Sequence, residues 1–91
     1  MVVEHIVKRK GHKERFDEKK LYGSVYGACL VADMHENKCE QVAQYVTNVI
    51  KKKLKRKKVI SSEEMAKITE ATLKKKNKEA AFMYKTHRDI S

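Results

Sequence analysis

The strongest constraint on the fold is an apolar stripe in the middle of the chain. Its members recur three or four positions apart, and they are Val42, Tyr45, Val46, Val49, Ile50 and Leu54. This spacing places them on one face of a helix. Asn37, followed three residues later by Glu40, resembles a capping box and predicts where that helix begins. The stripe therefore predicts the most clearly marked helix of the chain.

Three further helices are predicted around it. Asp17 is well placed as the N-cap of a first helix, whose helically spaced apolar residues are Leu21, Val25, Ala28, Cys29 and Ala32. Ser61 and Glu64 stand at capping-box spacing and predict the start of a third helix. Its predicted inner face consists of Met65, Ile68, Thr72 and Leu73. Asn77 separates it from a last helix, in which one side is formed by Ala80, Ala81, Tyr84 and Arg88.

The N-terminal region predicts strands rather than a helix. Residues 2–7 are rich in β-branched side chains, and residues 13–16 can return as a second strand after a tight turn at Gly11. Residues 57–60 are short, extended in pattern, and can add a third strand. We therefore predict one domain over residues 1–91 with an α+β, mainly α fold. Its architecture is a four-helix bundle capped by a small N-terminal β-hairpin or three-stranded sheet.

The charge balance points to an anionic partner. The chain carries 22 Lys and Arg against 12 Asp and Glu, a formal net charge of +10. Such an excess suits a nucleotide, a nucleic acid or a membrane surface, although heat-adapted proteins also carry excess lysine as solvation. No apolar run is long enough to span a membrane. Cys29 and Cys39 lack a Cys-x-x-Cys partner set, so a reducing cytoplasm is the expected location.

Signatures of catalysis are absent from the sequence. The four histidines do not have the spacing of a helical metal pair, and no serine or cysteine stands in a nucleophile-elbow setting. The chain also lacks a phosphate-binding P-loop and a dinucleotide-binding fingerprint. We therefore expect a protein that is not an enzyme and has no metal site of its own.

A basic run over residues 51–58, KKKLKRKK, is the obvious candidate for nucleic-acid binding. It falls at the end of the long helix, where cations complement the helix dipole, and Leu54 continues the apolar stripe through it. No aromatic platform or nucleic-acid-binding signature accompanies it. The sequence thus favours a solvated helix end, and leaves non-specific, salt-sensitive nucleic-acid binding as the alternative.

The opening stretch, residues 6–21, ties its charges to local geometry. Its candidate ligand-binding residues are Lys8, Arg9, Gly11, Glu14, Asp17 and Lys20. Cations can hold phosphates, while carboxylates can accept hydrogen bonds from an exocyclic amine or from ribose hydroxyls. A nucleotide offers both kinds of group, phosphates at one end and the base with its ribose at the other. From these residues alone, an exposed hairpin with ordinary surface charge explains the pattern better than a ligand site does.

The order of residues resembles the ATP-cone family over nearly the whole chain. The matching positions are Val7, Lys8, Arg9, Gly11, Glu14, Phe16, Asp17, Lys20, Leu21, the segment ISSEEM at 60–65, Ile68, Thr69, Glu70, Leu73, Ala81, Tyr84 and Arg88. ATP-cones are regulatory nucleotide-binding domains of ribonucleotide reductases, of a repressor of reductase genes and of some archaeal kinases. The resemblance implies the same fold, a four-helix bundle capped by a small sheet.

The resemblance also implies a ligand and its binding residues. The ligand would be ATP or dATP with Mg2+. Lys8, Arg9 and Lys20 would hold the phosphates, and the Gly11 turn would let the backbone approach them. The rest of the pocket would consist of Ile6 and Val7 along the first strand, Glu14 and Asp17 at the adenine edge, and Ser62 near the base or ribose.

Three positions depart from the family pattern. Ala66 replaces a polar residue found in several members, which removes a possible contact to the base or sugar and leaves the choice between ATP and dATP open. Lys10 stands where the family usually has aspartate, and His87 where it commonly has tyrosine. Arg88 is expected to secure the last helix rather than to bind phosphate.

Family cones report the ATP/dATP balance through changes in subunit association. The expected function is therefore allosteric regulation of a partner, attached or acting in trans, or of a homo-oligomer. The match fills the chain, so we expect either a free-standing cone or an excised module. The alternatives are a basic nucleic-acid-binding domain and a cone-fold interaction module without nucleotide.

Overall fold

The computed structural model describes residues 6–9 and 12–90, and for 6–9 and 88–90 it describes the backbone. Two short strands, β1 (Ile6–Arg9) and β2 (His12–Arg15), lead into helices α1 (Glu18–Val31) and α2 (Glu36–Lys57). A third strand, β3 (Val59–Ser61), is followed by helices α3 (Ser62–Lys76) and α4 (Lys78–Ile90). The prediction of a mainly helical fold with four helices is confirmed.

The strands pair in the order β2-β1-β3, with β1 in the centre. β1 and β2 are antiparallel, and Val7 faces Glu14 in that pairing. β1 and β3 are parallel, and Val7 faces Ile60 there. Of the predicted first strand, residues 2–5 lie outside the described part of the chain, as do Lys10 and Gly11 of the predicted turn.

Helix α1 begins where the sequence predicts. Asp17 is its N-cap, and its side-chain oxygen accepts a hydrogen bond from the backbone amide of Lys20. The cap leaves the apolar side of α1 facing the bundle, so that Leu21 and Val25 are buried. At the other end, Asp33 has a positive φ of 62°, which turns the chain toward α2.

The predicted start of α2 is wrong by two positions. His35, not Asn37, is the N-cap, and its Nδ1 accepts a hydrogen bond from the backbone amide of Asn37. The capping box of Asn37 with Glu40 therefore does not form. The turn at Asp33 brings the chain back early, and helical structure from Glu36 onward places Cys39 in the core, where its thiol contacts the carbonyl of Met34 at 3.5 Å.

The connection from α2 to α3 is short and tightly held. Lys58 has a positive φ of 68° and ends α2, after which β3 leads directly into α3. Ser61 is the N-cap of α3, as predicted, and accepts a hydrogen bond from the amide of Glu64 at 3.0 Å. The Glu64 carboxylate pairs with Lys57 across the turn, at 3.1 Å. The end of α2 and the start of α3 therefore lie together beside the sheet.

Helices α1 and α2 run in opposite directions. Lys51, in the second half of α2, pairs with Glu18 at the start of α1 at 3.2 Å. Asn77 separates α3 from α4, as predicted, and its side chain accepts a hydrogen bond from the amide of Ala80. The core between the helices contains Leu21, Val25, Cys29, Cys39, Val42, Val46, Ile50, Leu54, Ile60, Leu73, Ala80 and Tyr84, among others.

The inner face of α3 differs from its prediction. Leu73 is buried, but Met65, Ile68 and Thr72 are only half-buried. The fully enclosed positions are instead the smaller Ala66 and Thr69. Since α3 packs against α2, α4 and the sheet at once, small side chains occupy the closest approaches and the larger ones fill the margins.

Candidate functional site

The sheet gathers candidate residues from distant parts of the sequence. Glu14 on β2 and Ile60 on β3 both pair with Val7, so they lie level with each other on either side of the central strand. Paired residues share a face of a sheet. Ile60 is buried against the helices, and Glu14 therefore lies on the helix side of the sheet, while remaining exposed at the edge.

The start of α1 adds two candidates next to this edge. Asp17 follows β2 by two residues, and Lys20 lies in the first turn of α1 with an exposed side chain. The first turn of a helix favours anions because its amides point outward. One oxygen of Asp17 occupies the Lys20 amide at 3.2 Å, so the two residues form a single local unit.

The start of α3 approaches from the other side of the sheet. Lys8 on β1 pairs with Ser61, so Ser62, the first residue of α3, follows directly after the paired position. The Ser62 side chain is half-buried. Two helix starts, those of α1 and α3, are therefore joined to the two edges of one small sheet, and β1 runs between them.

Part of the predicted site lies outside the described side chains. The structure gives the backbone of Ile6, Val7, Lys8 and Arg9 along the central strand, and Gly11 lies outside the described residues. Of the predicted set, Glu14, Asp17, Lys20 and Ser62 are described with their side chains. The convergence of Lys8 and Arg9 with Lys20 stays a prediction.

A cavity of about 720 Å³ opens on a different side of the α1 start. The residues that line it are Arg15, Phe16, Asp17, Glu18, Lys19 and Tyr22. Of the predicted site it includes Asp17 alone. Neighbouring strand residues point to opposite faces, which separates Arg15 from Glu14, and Lys19 lies about 100° around the helix from Lys20.

The sequence did not single out this cavity. Its aromatic members, Phe16 and Tyr22, are half-buried against the core, and Tyr22 stacks on Tyr26 with ring centroids 6.3 Å apart. Glu18 on its rim is tied to Lys51 of α2. The helical spacing of Tyr22 and Tyr26 is the only signal in the sequence that could have indicated an aromatic wall beside the start of α1.

The positions at which the sequence departs from the family pattern lie in different structural settings. Ala66 on α3 is 3% exposed, so it presents almost no surface to a ligand. His87 is exposed on α4, and Arg88 is described by its backbone alone.

Both cysteines are free thiols enclosed in the core, Cys29 on α1 and Cys39 on α2. Burial raises the pKa of the Cys29 thiol to about 11, and neighbouring Cys39 adds to the shift. Burial also raises the pKa of Cys39. At neutral pH both are therefore protonated core side chains, as predicted for Cys29, rather than reactive groups.

The acidic residues near the site suit a metal carried by a nucleotide rather than a protein-bound metal. Within the described residues, no group of three or more His, Cys, Asp or Glu side chains could hold a metal ion. Mg2+ commonly binds through one or two carboxylates together with substrate phosphates and water. Any Mg2+ at the site would therefore be held mainly by the phosphates of a bound nucleotide.

Over the described residues, no helix combines the length and apolarity needed to cross a bilayer. A comparison with protein families matches residues 4–90 to the ATP cone domain. The same comparison extended to curated proteins and to solved structures found no match in either. ATP-cone domains are regulatory modules that bind adenine nucleotides. The family match covers essentially the whole chain, and the protein belongs to the ATP-cone family.

Proposed function

We propose that this protein binds ATP or dATP as a regulatory module and acts on a partner by changing its state of association. The observation that carries the proposal is the unit formed by Asp17 and Lys20, at the start of α1 and beside the edge strand that bears Glu14. It joins a phosphate-type cation, exposed carboxylates and a helix start within a few residues. Family membership supplies the ligand class.

The proposed roles follow from chemistry and position. Lys8, Arg9 and Lys20 hold the phosphates, since ammonium and guanidinium groups form the stronger, charge-assisted hydrogen bonds with phosphate oxygens. Glu14 and Asp17 accept from the exocyclic amine of adenine, which guanine lacks at that position. Ser62, next to the end of β1, donates to the ribose or the base. Ile6, Val7 and the Gly11 turn form the wall along the strand.

Calorimetry with ATP, dATP and GTP tests this proposal. We expect binding of at least one adenine nucleotide, weaker binding of GTP, and retention of most of the affinity at high salt. A counterion-driven binder would instead lose affinity steeply with salt and show no choice of base. That second outcome, or no binding at all, would contradict the proposal.

The variant Lys8→Ala/Lys20→Ala tests where the nucleotide binds. A hydrogen bond to a charged group contributes about 1.5–3 kcal/mol, so loss of both cations should weaken binding by well over 100-fold if both reach phosphate. We expect the variant to keep its helical circular dichroism. Lys20 is exposed, and alanine retains the backbone amide that donates a hydrogen bond to Asp17. Unchanged affinity would place the nucleotide elsewhere.

The association change is supported by exposed apolar side chains on two helices that pack together. Phe82 on α4 is 63% exposed, and Val31 at the end of α1 is 51% exposed. Apolar groups left in solvent are available for contacts between subunits or with a partner. Light scattering with and without dATP tests this part: a ligand-dependent shift in mass that Phe82→Ser abolishes is expected. No shift at saturating ligand would remove a homo-oligomeric mechanism and leave a partner in trans.

The two enclosed free thiols suit a reducing compartment, and we propose the cytoplasm as the location. Neither the proposed ligand nor the proposed location identifies the partner on which the module acts, including any partner related to ribonucleotide reductase. The proposed role requires no chemistry by the protein itself, in keeping with a regulatory domain.

A further inference from the structure

The second half of α2 carries a surface that the nucleotide site does not use. We call it the basic face, and it consists of the exposed residues Lys51, Lys52, Lys55 and Arg56 of α2 together with Lys58, the C-cap that follows the helix. Ile50 and Leu54, on the opposite side of the helix, are fully buried. The burial of those two residues fixes the orientation of α2, so that the basic face is held toward solvent.

This charge arrangement opposes the folding of α2 itself. Lys51 and Lys55 are four positions apart, as are Lys52 and Arg56, and like charges at this spacing destabilise a helix by about 0.2–0.5 kcal/mol per pair. The helix dipole offsets charge only within the last turn. The dipole therefore offsets part of the repulsion at Lys55 and Arg56, but it does not offset the repulsion at Lys51 and Lys52, which lie before the last turn.

Most of these cations lack an acidic partner. Lys51 pairs with Glu18, and Lys57, beside the basic face, pairs with Glu64. Within the described part of the chain, Lys52, Lys55, Arg56 and Lys58 form no ion pair. The sequence between residues 41 and 58 contains no Asp or Glu, so the helix itself cannot supply one.

We propose that the basic face binds the phosphate backbone of double-stranded nucleic acid without sequence preference. Three of the four unpaired cations, Lys52, Lys55 and Arg56, follow one another along about 6 Å of helix at 1.5 Å per residue, and Lys58 comes directly after the helix end. A duplex presents one charge per about 1.7 Å of its axis. Residues 51–58 contain no Asn, Gln or aromatic side chain to read or stack on bases. The contacts that the lysines and Arg56 make to phosphates are electrostatic and carry no sequence information.

An acidic membrane is a poorer fit to the same surface. A helix that lies in a bilayer interface inserts an apolar face. The apolar face of α2 is occupied by the core of the bundle, through Ile50 and Leu54. The basic face could only rest on lipid headgroups, whereas it can follow the regular phosphates of a duplex.

The salt dependence of binding follows from the number of unpaired cations. Each phosphate neutralised contributes about −0.9 to the slope of log K against log salt. Four cations therefore give a slope of about −3.6 on duplex DNA. This is a weak, sequence-independent interaction, and it does not depend on the proposed nucleotide function.

Fluorescence anisotropy with two short labelled DNA duplexes of unrelated sequence tests the proposal. The native chain is measured between about 50 and 200 mM salt. The variant Lys52→Gln/Lys55→Gln/Arg56→Gln should reduce the slope by about 2.7 and weaken binding by more than tenfold at the lower salt. Glutamine preserves helix propensity. If the triple variant loses its helical circular dichroism signal, Lys55→Gln replaces it in the measurement and should reduce the slope by about 0.9.

A matched control removes the same charge elsewhere. Lys67, Lys74 and Lys75 are exposed on α3, and Lys67→Gln/Lys74→Gln/Lys75→Gln should leave the slope unchanged. Equal losses in the two triple variants, no binding by the native chain, or a strong preference for one duplex would overturn the proposal. So would tighter binding to phosphatidylserine vesicles than to DNA.

Discussion

The carboxylate of Asp17 accepts a hydrogen bond from the backbone amide of Lys20, with 3.2 Å between Oδ1 and the nitrogen. Two residues of the proposed nucleotide site therefore also form the cap of α1. A substitution at Asp17 can act on stability, on nucleotide binding or on both. Distinguishing these effects requires variants that keep the cap while removing the charge.

The variants Asp17→Ser and Asp17→Ala separate the two roles. Serine is a comparable N-cap, whereas alanine lacks the acceptor and should lower the free energy of unfolding by about 1 kcal/mol. If Asp17 also contacts adenine, both variants should bind ATP more weakly. Chemical denaturation and calorimetry measure the two quantities. Full ATP affinity in Asp17→Ser would confine Asp17 to its capping role.

Thr47 offers a stabilising substitution. Its hydroxyl is fully buried on α2 and makes no hydrogen bond, within the described residues, to any partner. A buried polar group without a partner costs about 1–3 kcal/mol. Thr47→Val replaces the hydroxyl with a methyl group of similar size, so the free energy of unfolding should rise by about 1 kcal/mol.

Thr69 is the matched control for this measurement. It is equally buried, but its hydroxyl donates to the carbonyl of Met65 at 2.8 Å. Thr69→Val should therefore be neutral or destabilising in urea unfolding. A stability gain at Thr69 equal to that at Thr47 would show that added apolar surface, and not the unpaired hydroxyl, is responsible.

The buried thiols predict a loss of stability at alkaline pH. The pKa of Cys29 is about 11 in the folded protein, against 9.0 for the free side chain. Above pH 9 the unfolded chain loses this proton and the folded chain keeps it. The stability contribution is thus fully present below pH 9 and is lost as the pH rises toward 11.

Urea unfolding at pH 8 and pH 10.5 measures this effect, with Cys29→Ala as the control. The native protein should lose more stability over this interval than the variant, in which the titrating group is absent. A disulfide reagent should also react slowly with the folded protein at pH 8 and quickly after denaturation, since thiolate is the reactive form. An identical pH dependence in the two proteins would contradict the assignment.

Gly23 and Gly27 lie inside α1, and a Cβ built at either would meet nothing within 4 Å. Alanine is a better helix former than glycine by about 1 kcal/mol. Gly23→Ala and Gly27→Ala should therefore each raise the melting temperature. A loss of stability would mean that the backbone of α1 needs glycine for a reason other than space.

Local signals predicted most of the helix boundaries. Asp17, Ser61 and Asn77 are caps because their short polar side chains can reach the free amides of the next turn. The start of α2 was missed because histidine is not a common N-cap. The pattern of Asn37 with Glu40 could not show that the chain reverses at Asp33.

Long-range packing was less predictable. The periodicity of α3 favoured its large apolar residues, but Ala66 and Thr69 are enclosed because three elements crowd that helix. The parallel pairing of β3 with β1, which places Ser62 beside the central strand, depends on how the helices bring the strand back. The cavity beside Tyr22 likewise depends on the bundle, and no short motif marks it.

We propose that nucleotide binds on the Lys20 side of α1 and not in the cavity lined by Lys19. These adjacent, exposed lysines provide a matched pair with the same charge and the same helix. Calorimetric titration of ATP into Lys20→Ala and Lys19→Ala tests this placement. This placement predicts a Kd roughly 10- to 100-fold larger for Lys20→Ala, which corresponds to the loss of one charged hydrogen bond, and a near-native Kd for Lys19→Ala. Native affinity in Lys20→Ala, or the larger loss in Lys19→Ala, would contradict it.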